Sequence, residues 1–91
     1  MTQKEILDEL KIIVVERLRF DPLRAAEMTL ETTLPKDVEG SLGLDSLDFI
    51  ELSVAIEERF GITIDETQDL SEEFLSLDSL SRFILGRSGQ G

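Results

Sequence analysis

The sequence contains no cysteine, histidine, tyrosine or tryptophan, and these absences remove whole classes of function. Without histidine or cysteine, no Ser–His or Cys–His pair can activate a nucleophile, so nucleophilic catalysis of that kind is excluded. Without cysteine the chain forms no disulfide and no thiolate metal site, which agrees with a reducing compartment. We therefore expect a protein that is not an enzyme, and any thiol that its function needs must come from elsewhere.

Basic residues and long apolar runs are also scarce. Lys and Arg number 9 against 20 Asp and Glu, so the formal net charge is −11. This balance disfavours binding to nucleic acid or to anionic membrane surfaces, and it favours basic partners attracted by electrostatic steering. No apolar run approaches the length of a membrane span, and residues 1–5 lead into an amphipathic helix rather than the apolar core of a signal sequence. We expect a cytoplasmic monomer without a membrane segment.

The N-terminal part of the chain predicts an amphipathic helix. Thr2 and Glu5 have the spacing of a capping box, so the helix is expected to begin at residue 3. It should end near Arg19, because Asp21-Pro22 breaks the helical pattern. The apolar residues at helical spacing form one broad face: Ile6, Leu7, Leu10, Ile13, Val14 and Leu18.

The rest of the chain predicts a small all-α bundle. Periodicity and capping residues favour two long helices, over about 46–60 and 76–85, and a short helix over about 66–71. Asp21 and Pro22 also permit a further short helix through about Met28. Between these helices, residues 29–42 have no clear period and read as a long first loop. We therefore expect a four-helix bundle of three main helices plus one short helix, with a domain over residues 1–85 and a flexible tail over residues 86–91.

One serine lies in a conspicuous place, at the start of the second long helix. Asp45 is a favoured N-cap residue, and Asp48 follows three positions later, near the positive end of the helix dipole. Ser46 therefore falls in the exposed first turn. Because serine is common in first turns, this position alone does not define a function.

The same helix carries two apolar stripes. Phe49, Leu52, Ile56 and Phe60 share the face expected to pack in the bundle, whereas Leu47, Ile50 and Val54 lie on a separate stripe. A helix that is apolar on two faces can be deeply buried. Here Glu51 and Glu58 border one side of the second stripe and Glu57 the other, which favours a half-exposed docking strip ringed by carboxylates.

The stretch Gly43-Leu44-Asp45-Ser46-Leu47, followed by Asp48 and Glu51 and closed by Glu57-Glu58-Arg59-Phe60-Gly61, resembles the prosthetic-group site and second helix of an acyl carrier protein. The resemblance implies that a phosphopantetheinyl transferase attaches 4′-phosphopantetheine to Ser46, flanked by Asp45 and Leu47. It also implies that acyl intermediates of fatty acid, polyketide or related biosynthesis are carried as thioesters. The expected partners are acyl-transferring, condensing or acyl-activating enzymes with basic docking patches. The residues expected to bind them are Asp48, Ile50, Glu51, Val54, Glu57 and Glu58.

Some features depart from the family pattern. The loop before the motif is several residues longer than usual, Gly40 and Ser41 replace residues that are often acidic, and Arg59 interrupts the acidic run. These departures bear on the identity of the partners. Two alternative functions also stay open: an aminoacyl or peptidyl carrier, and an unmodified acidic helical adaptor. Because the bulky Phe49 lies one turn from Ser46 on the inward stripe, it should narrow any internal cavity, which favours short or polar cargo or an acyl chain left largely outside.

Two other patterns resemble functional motifs. A second Asp-Ser-Leu occurs at residues 78–80, but it lacks the preceding glycine and the following carboxylates, so Ser79 is expected to remain unmodified. The alternating polar residues from Asp65 to Ser71 resemble a calcium loop. Leu70 stands where that loop needs glycine and Ser76 where it needs a bidentate glutamate, so we expect no metal site.

Overall fold

The computed structural model describes residues 2–65 and 67–88. Within these residues the chain is helical, with two isolated β-bridges and no regular strand, so the predicted all-α class is confirmed. Three helices are long and one is short, as expected. Their bounds are Gln3–Glu16 for α1, Pro22–Ala26 for α2, Ser46–Phe60 for α3 and Leu77–Ser88 for α4. None of the helices in this described part is long and apolar enough to cross a membrane.

Helix α1 begins as predicted and ends early. The Thr2 side chain accepts a hydrogen bond from the Glu5 backbone N–H, and the Glu5 side chain accepts one from the Thr2 backbone N–H. The helix stops at Glu16 rather than near Arg19, because Arg19 adopts a left-handed conformation with φ 63°. That turn lets the backbone N–H of Phe20 donate to the carbonyl of Val14 at 3.0 Å, which closes the helix end.

One continuous apolar core holds the helices together. The inward stripe of α1 packs against α3 and α4, and the chain leaves α3 through Gly61, whose left-handed φ of 67° confirms the predicted helix end. Each long helix contributes residues that are fully buried, and burial of such side chains is the main term that stabilises the fold. These residues include Ile6, Leu10, Leu52, Ile56, Leu77, Leu80 and Ile84.

The long loop between α2 and α3 is more ordered than its sequence indicates. Leu34, Leu42 and Leu44 are buried in the core. The backbone N–H of Leu34 donates to the carbonyl of Leu75 at 2.9 Å, and the N–H of Leu44 donates to the carbonyl of Leu34 at 2.8 Å. Leu77 N–H also donates to the carbonyl of Thr32 at 2.9 Å, so the loop is hydrogen-bonded to the first residue of α4 and to the segment before it.

The short helix predicted over about residues 66–71 is wrong for the described residues 67–71, which form turns and irregular backbone; Glu66 lies outside the described part. Asp65 accepts a hydrogen bond from the Thr67 backbone N–H at 2.9 Å, and Asp69 accepts one from that of Ser71 at 3.1 Å. These local bonds offer the backbone partners that compete with a helix. The short helix of the bundle is therefore α2.

The last helix is longer than predicted. It continues to Ser88 rather than ending at Leu85, and the Arg87 guanidinium lies 4.8 Å from the ring centroid of Phe83 and donates to the Thr63 carbonyl at 3.3 Å. These contacts give the last turn partners in the bundle. Residues 89–91 of the expected tail lie outside the described residues, and the division of the chain at residue 85 stays a prediction.

Candidate functional site

Ser46 is the first residue of α3 and is exposed to solvent. Two residues earlier, Leu44 is buried in the core and anchors the backbone just before the helix. Gly43 precedes it with a φ of 76°, a conformation that side chains with a Cβ rarely adopt. The sequence thus passes from a buried anchor to an exposed hydroxyl within one turn, and Ser46 is presented at the mouth of the helix.

Two carboxylates fix that turn. The Asp45 side chain accepts a hydrogen bond from the backbone N–H of Asp48 at 3.0 Å, and the Asp48 side chain accepts one from the N–H of Asp45 at 3.2 Å. The bond from the Asp48 N–H holds the pKa of Asp45 below its ordinary value, since it favours the charged carboxylate. The predicted cap is therefore confirmed, and Ser46 lies between the two capping residues.

The second apolar stripe of α3 is exposed. Leu47 is 75% exposed, Ile50 52% and Val54 36%, whereas Leu52 and Ile56 on the inward stripe are buried. Deep burial of both faces is therefore excluded. We call Leu47, Ile50 and Val54 the apolar strip, and it begins one residue after Ser46.

Two carboxylates beside the apolar strip share one cation, Arg17, which is the C-cap residue of α1. The Arg17 guanidinium bonds Glu51 through Nε at 2.9 Å and through Nη2 at 2.7 Å, and it bonds Glu58 through Nη1 at 2.8 Å. The bonds to Glu58 and Glu51 raise the pKa of Arg17 above its ordinary value. Sequence reasoning missed this contact. The spacing of seven residues places the two glutamates on one face, but it does not indicate which cation lies between them.

The other carboxylates predicted to bind partners are also engaged. Glu57 accepts a hydrogen bond from the backbone N–H of Ile64 at 2.8 Å, and Asp48 belongs to the cap of α3. Arg59, which interrupts the acidic run, pairs with Glu9 of α1. The structure thus brings the predicted docking residues together around one exposed strip, and each predicted carboxylate has a bond within the chain.

A surface cavity of about 460 Å³ is lined by one residue of α3, Phe49. Phe49 lies one turn after Ser46 and meets the ring of Phe74 edge to face at a centroid distance of 6.1 Å. The cavity lies between the loop before α3, α3 itself and the turns before α4. Its lining is mostly apolar: Pro35, Asp37, Val38, Phe49, Leu70, Ser71, Phe74 and Leu75.

The second Asp-Ser-Leu has a different setting. Ser79 is half-buried inside α4, and its hydroxyl donates to the carbonyl of Glu73 at 3.0 Å.

In the calcium-like stretch, the side chains of Asp65 and Asp69 accept bonds from their own turns, which lower the pKa of each. Among residues 2–65 and 67–88, no group of three or more His, Cys, Asp or Glu side chains could hold a metal ion.

Comparison with known proteins defines the class of this site. A family model described as "Phosphopantetheine attachment site" matches residues 8–84. An acyl carrier protein of Helicobacter acinonychis (strain Sheeba) is 35% identical over 79 residues, which cover 87% of this chain and 90% of the relative. An acyl carrier protein of Thermosynechococcus vestitus is 34% identical over 84 residues, covering 92% of this chain and 93% of the relative.

The site and these relatives define a phosphopantetheine-bearing carrier, and 4′-phosphopantetheine is its prosthetic group. The chain belongs to the acyl carrier protein family, whose members are carriers rather than enzymes. Its role implies contact with a phosphopantetheinyl transferase and with acyl-handling enzymes. The residues at the start of α3 fit such a group, because an exposed hydroxyl accompanies the backbone N–H groups and positive dipole end of a helix, which favour a phosphodiester.

Proposed function

We propose that Ser46 bears the phosphopantetheine group and that the protein delivers acyl thioesters to enzymes of fatty acid, polyketide or related biosynthesis. The observation that carries this proposal is the exposed hydroxyl of Ser46 at the first position of a capped helix, within the stretch that resembles the family's prosthetic-group site. When bound, the group supplies the terminal thiol that holds the acyl group. The protein itself has no thiol, because its sequence contains no cysteine.

The chain's own residues position the attachment point. The reciprocal bonds of Asp45 and Asp48 hold the first turn in one geometry, so a transferase meets the hydroxyl in a fixed place. The exposed Leu47 beside it offers an apolar contact to the transferase. The positive dipole end of the helix favours the negatively charged phosphodiester.

The proposed docking face is the apolar strip together with its carboxylates. Ile50 and Val54 give a small apolar contact, and Asp48, Glu51, Glu57 and Glu58 surround it. Small apolar contacts with screened charges suit complexes that form and dissociate quickly, as cargo transfer between successive enzymes requires. A monomeric state and a cytoplasmic location stay predictions.

The attachment is tested by intact mass after co-expression with a broad phosphopantetheinyl transferase. We expect a gain of about 340 Da, the mass of one arm. The gain should disappear in Ser46→Ala and persist in Ser79→Ala, the matched control in the second Asp-Ser-Leu. An arm mapped to the peptide over residues 78–85 would contradict the assignment, and a chain that gains no mass would favour an unmodified adaptor.

The cavity lined by Phe49 provides a test of the size of the cargo. Because Phe49 fills part of its wall against Phe74, we expect short or polar cargo to be accommodated and long acyl chains to remain largely outside. Because Phe49 is only partly buried, Phe49→Ala should lower the free energy of unfolding by less than the about 3–5 kcal/mol that loss of a fully buried phenylalanine costs, and it should enlarge the cavity. Its melting temperature should then rise when a long acyl chain is loaded, with little such rise in the unsubstituted protein. Equal stabilisation of both proteins would mean that Phe49 does not limit the cavity.

A second experiment, in which partner enzymes are offered the loaded protein, separates acyl from aminoacyl cargo. Partner enzymes that accept the fatty-acyl form and reject an aminoacyl form would support the acyl carrier function. The reverse preference would favour the aminoacyl or peptidyl carrier.

A further inference from the structure

The cation between α1 and α3 lies at the edge of the proposed docking face. Glu51 and Glu58 lie about two turns apart along one side of the apolar strip, and Arg17 bonds both of them at distances of 2.7 to 2.9 Å. A guanidinium presents several donors in a planar fork, so it can hold two carboxylates at once. This edge of the strip therefore carries one positive and two negative charges rather than two negative charges alone.

The opposite edge of the strip differs. Glu57 there is bonded to the backbone N–H of Ile64, which supplies a dipole but no positive charge. Its charge therefore remains available to a basic partner. By formal charge each edge is therefore −1, but the two carboxylates of the first edge are already bonded to a guanidinium, whereas Glu57 forms no ion pair within the described residues.

We propose that Arg17 is a specificity-determining residue for partner docking, because it competes with a partner's basic side chains for Glu51 and Glu58. The proposal rests on the docking role proposed for α3. The partner that fits this face is an enzyme with an apolar docking pocket for Leu47, Ile50 and Val54 and with its basic residues concentrated on the Glu57 side. An enzyme that relies on basic residues along the other edge must first displace Arg17.

The competing explanation is that Arg17 only ties α1 to α3. Exposed ion pairs contribute little to stability, and the three side chains here are 36%, 43% and 63% exposed. A second ion pair, between Arg59 and Glu9, joins the same two helices. Arg59 follows Glu58 and lies about 100° further round α3, away from the strip. It therefore provides a matched control, with the same pair of helices and the same charge but a different face.

The experiment measures the rate at which one broad phosphopantetheinyl transferase with a basic docking face modifies Ser46. The unsubstituted chain, Arg17→Gln and Arg59→Gln are compared over a range of ionic strengths. Arg17→Gln should raise kcat/KM about three- to tenfold at low ionic strength, through KM, and should steepen the salt dependence. Arg59→Gln should change both much less, and circular dichroism melting checks that each variant folds.

Each result decides between the two explanations. Equal effects of Arg17→Gln and Arg59→Gln would mean that only net charge matters, and an unchanged salt dependence in Arg17→Gln would overturn the competition. If Arg17→Gln does not fold, Arg17→Lys decides. Lysine keeps the positive charge but lacks the planar guanidinium that bonds both carboxylates. We therefore expect a partial rise in kcat/KM, and no rise would overturn the proposal. A failure of every variant, and of the unsubstituted chain, to be modified would instead overturn the proposed function, and this inference with it.

Discussion

The chain contains the same three residues, Asp-Ser-Leu, at the start of α3 and near the start of α4, and their environments are opposite. In α3 the serine is exposed and the leucine is 75% exposed. In α4 the serine is half-buried and hydrogen-bonded, and the leucine is 0% exposed. The triplet itself therefore does not determine how its serine is presented.

The difference follows from the position of each triplet relative to its helix. Asp45 is the residue before α3, so Ser46 is the first helical residue. In α4 the triplet lies two positions further in, which rotates it by about 200° around the helix axis and turns its leucine into the core. A site on a helix is defined by its distance from the cap and by the direction of the core, as well as by its residues.

The two helices use different chemistry for equivalent caps. Ser76 and Ser79 exchange backbone-to-side-chain bonds, from Ser76 N–H to the Ser79 hydroxyl at 3.1 Å and from Ser79 N–H to the Ser76 hydroxyl at 3.2 Å. Asp45 and Asp48 make the same exchange in α3 with carboxylates. Ser79 thus has the same capping role in α4 that Asp48 has in α3, and its hydroxyl is already hydrogen-bonded.

The largest expected contrast lies between the two leucines. Leu80→Ala should lower the free energy of unfolding by about 2–5 kcal/mol, because the side chain is fully buried and its removal leaves a cavity. Leu47→Ala should change it by less than about 0.5 kcal/mol, because the side chain is largely in solvent. Urea unfolding followed by circular dichroism measures both values.

The functional effects of the two leucines should be reversed. Leu47→Ala should slow modification by the transferase while leaving the fold intact, since it removes apolar contact beside Ser46. A Leu47→Ala chain that is modified at the normal rate would exclude Leu47 from the docking face.

A smaller contrast is expected between the two caps as the pH falls. The folded-state pKa of Asp45 is lowered, so the stability that its charge contributes is fully present above the ordinary Asp pKa of about 3.9. That contribution is lost as the pH falls through the lower folded-state pKa. The stability difference between the unsubstituted chain and Asp45→Asn should therefore be constant near neutral pH and shrink in acid.

The hydroxyl cap of α4 gives the control for this measurement. Ser76→Ala should cost about 1 kcal/mol at every pH, because neither partner of that cap titrates. Differences between paired unfolding curves are needed, since acid also protonates other carboxylates with lowered pKa values, such as Glu5, Asp65 and Asp69. A pH-independent difference for Asp45→Asn would mean that the charge of Asp45 does not contribute to the cap.

Local patterns in the sequence were sufficient to predict most of the fold. The caps at Thr2 and Asp45, the left-handed end at Gly61 and the two stripes of α3 all depend on residues within one or two turns of each other. The predicted placement of Ser46 at the exposed start of α3 succeeded for the same reason. Its role as attachment point remains a prediction that depends on the family resemblance.

The features that sequence reasoning missed depend on distant residues or on close competition between local structures. Arg17 reaches Glu51 and Glu58 only because α1 and α3 pack side by side. The segment from Asp65 to Ser71 has helix-capping residues, but their side chains stabilise turns instead. Periodicity alone could not decide between these outcomes, since both use the same polar residues.

The pinned loop before α3 has a consequence for the order in which the chain folds. Its backbone bonds join Thr32 to Leu77 and Leu34 to Leu75, residues that are far apart in sequence. Closing such a long stretch of chain is entropically costly, so non-local contacts of this kind usually form late. On a ribosome, the loop that leads to Ser46 cannot form these bonds until the chain as far as Leu77 has emerged. We therefore expect nascent chains to become good substrates for modification only after the beginning of α4 has been synthesised.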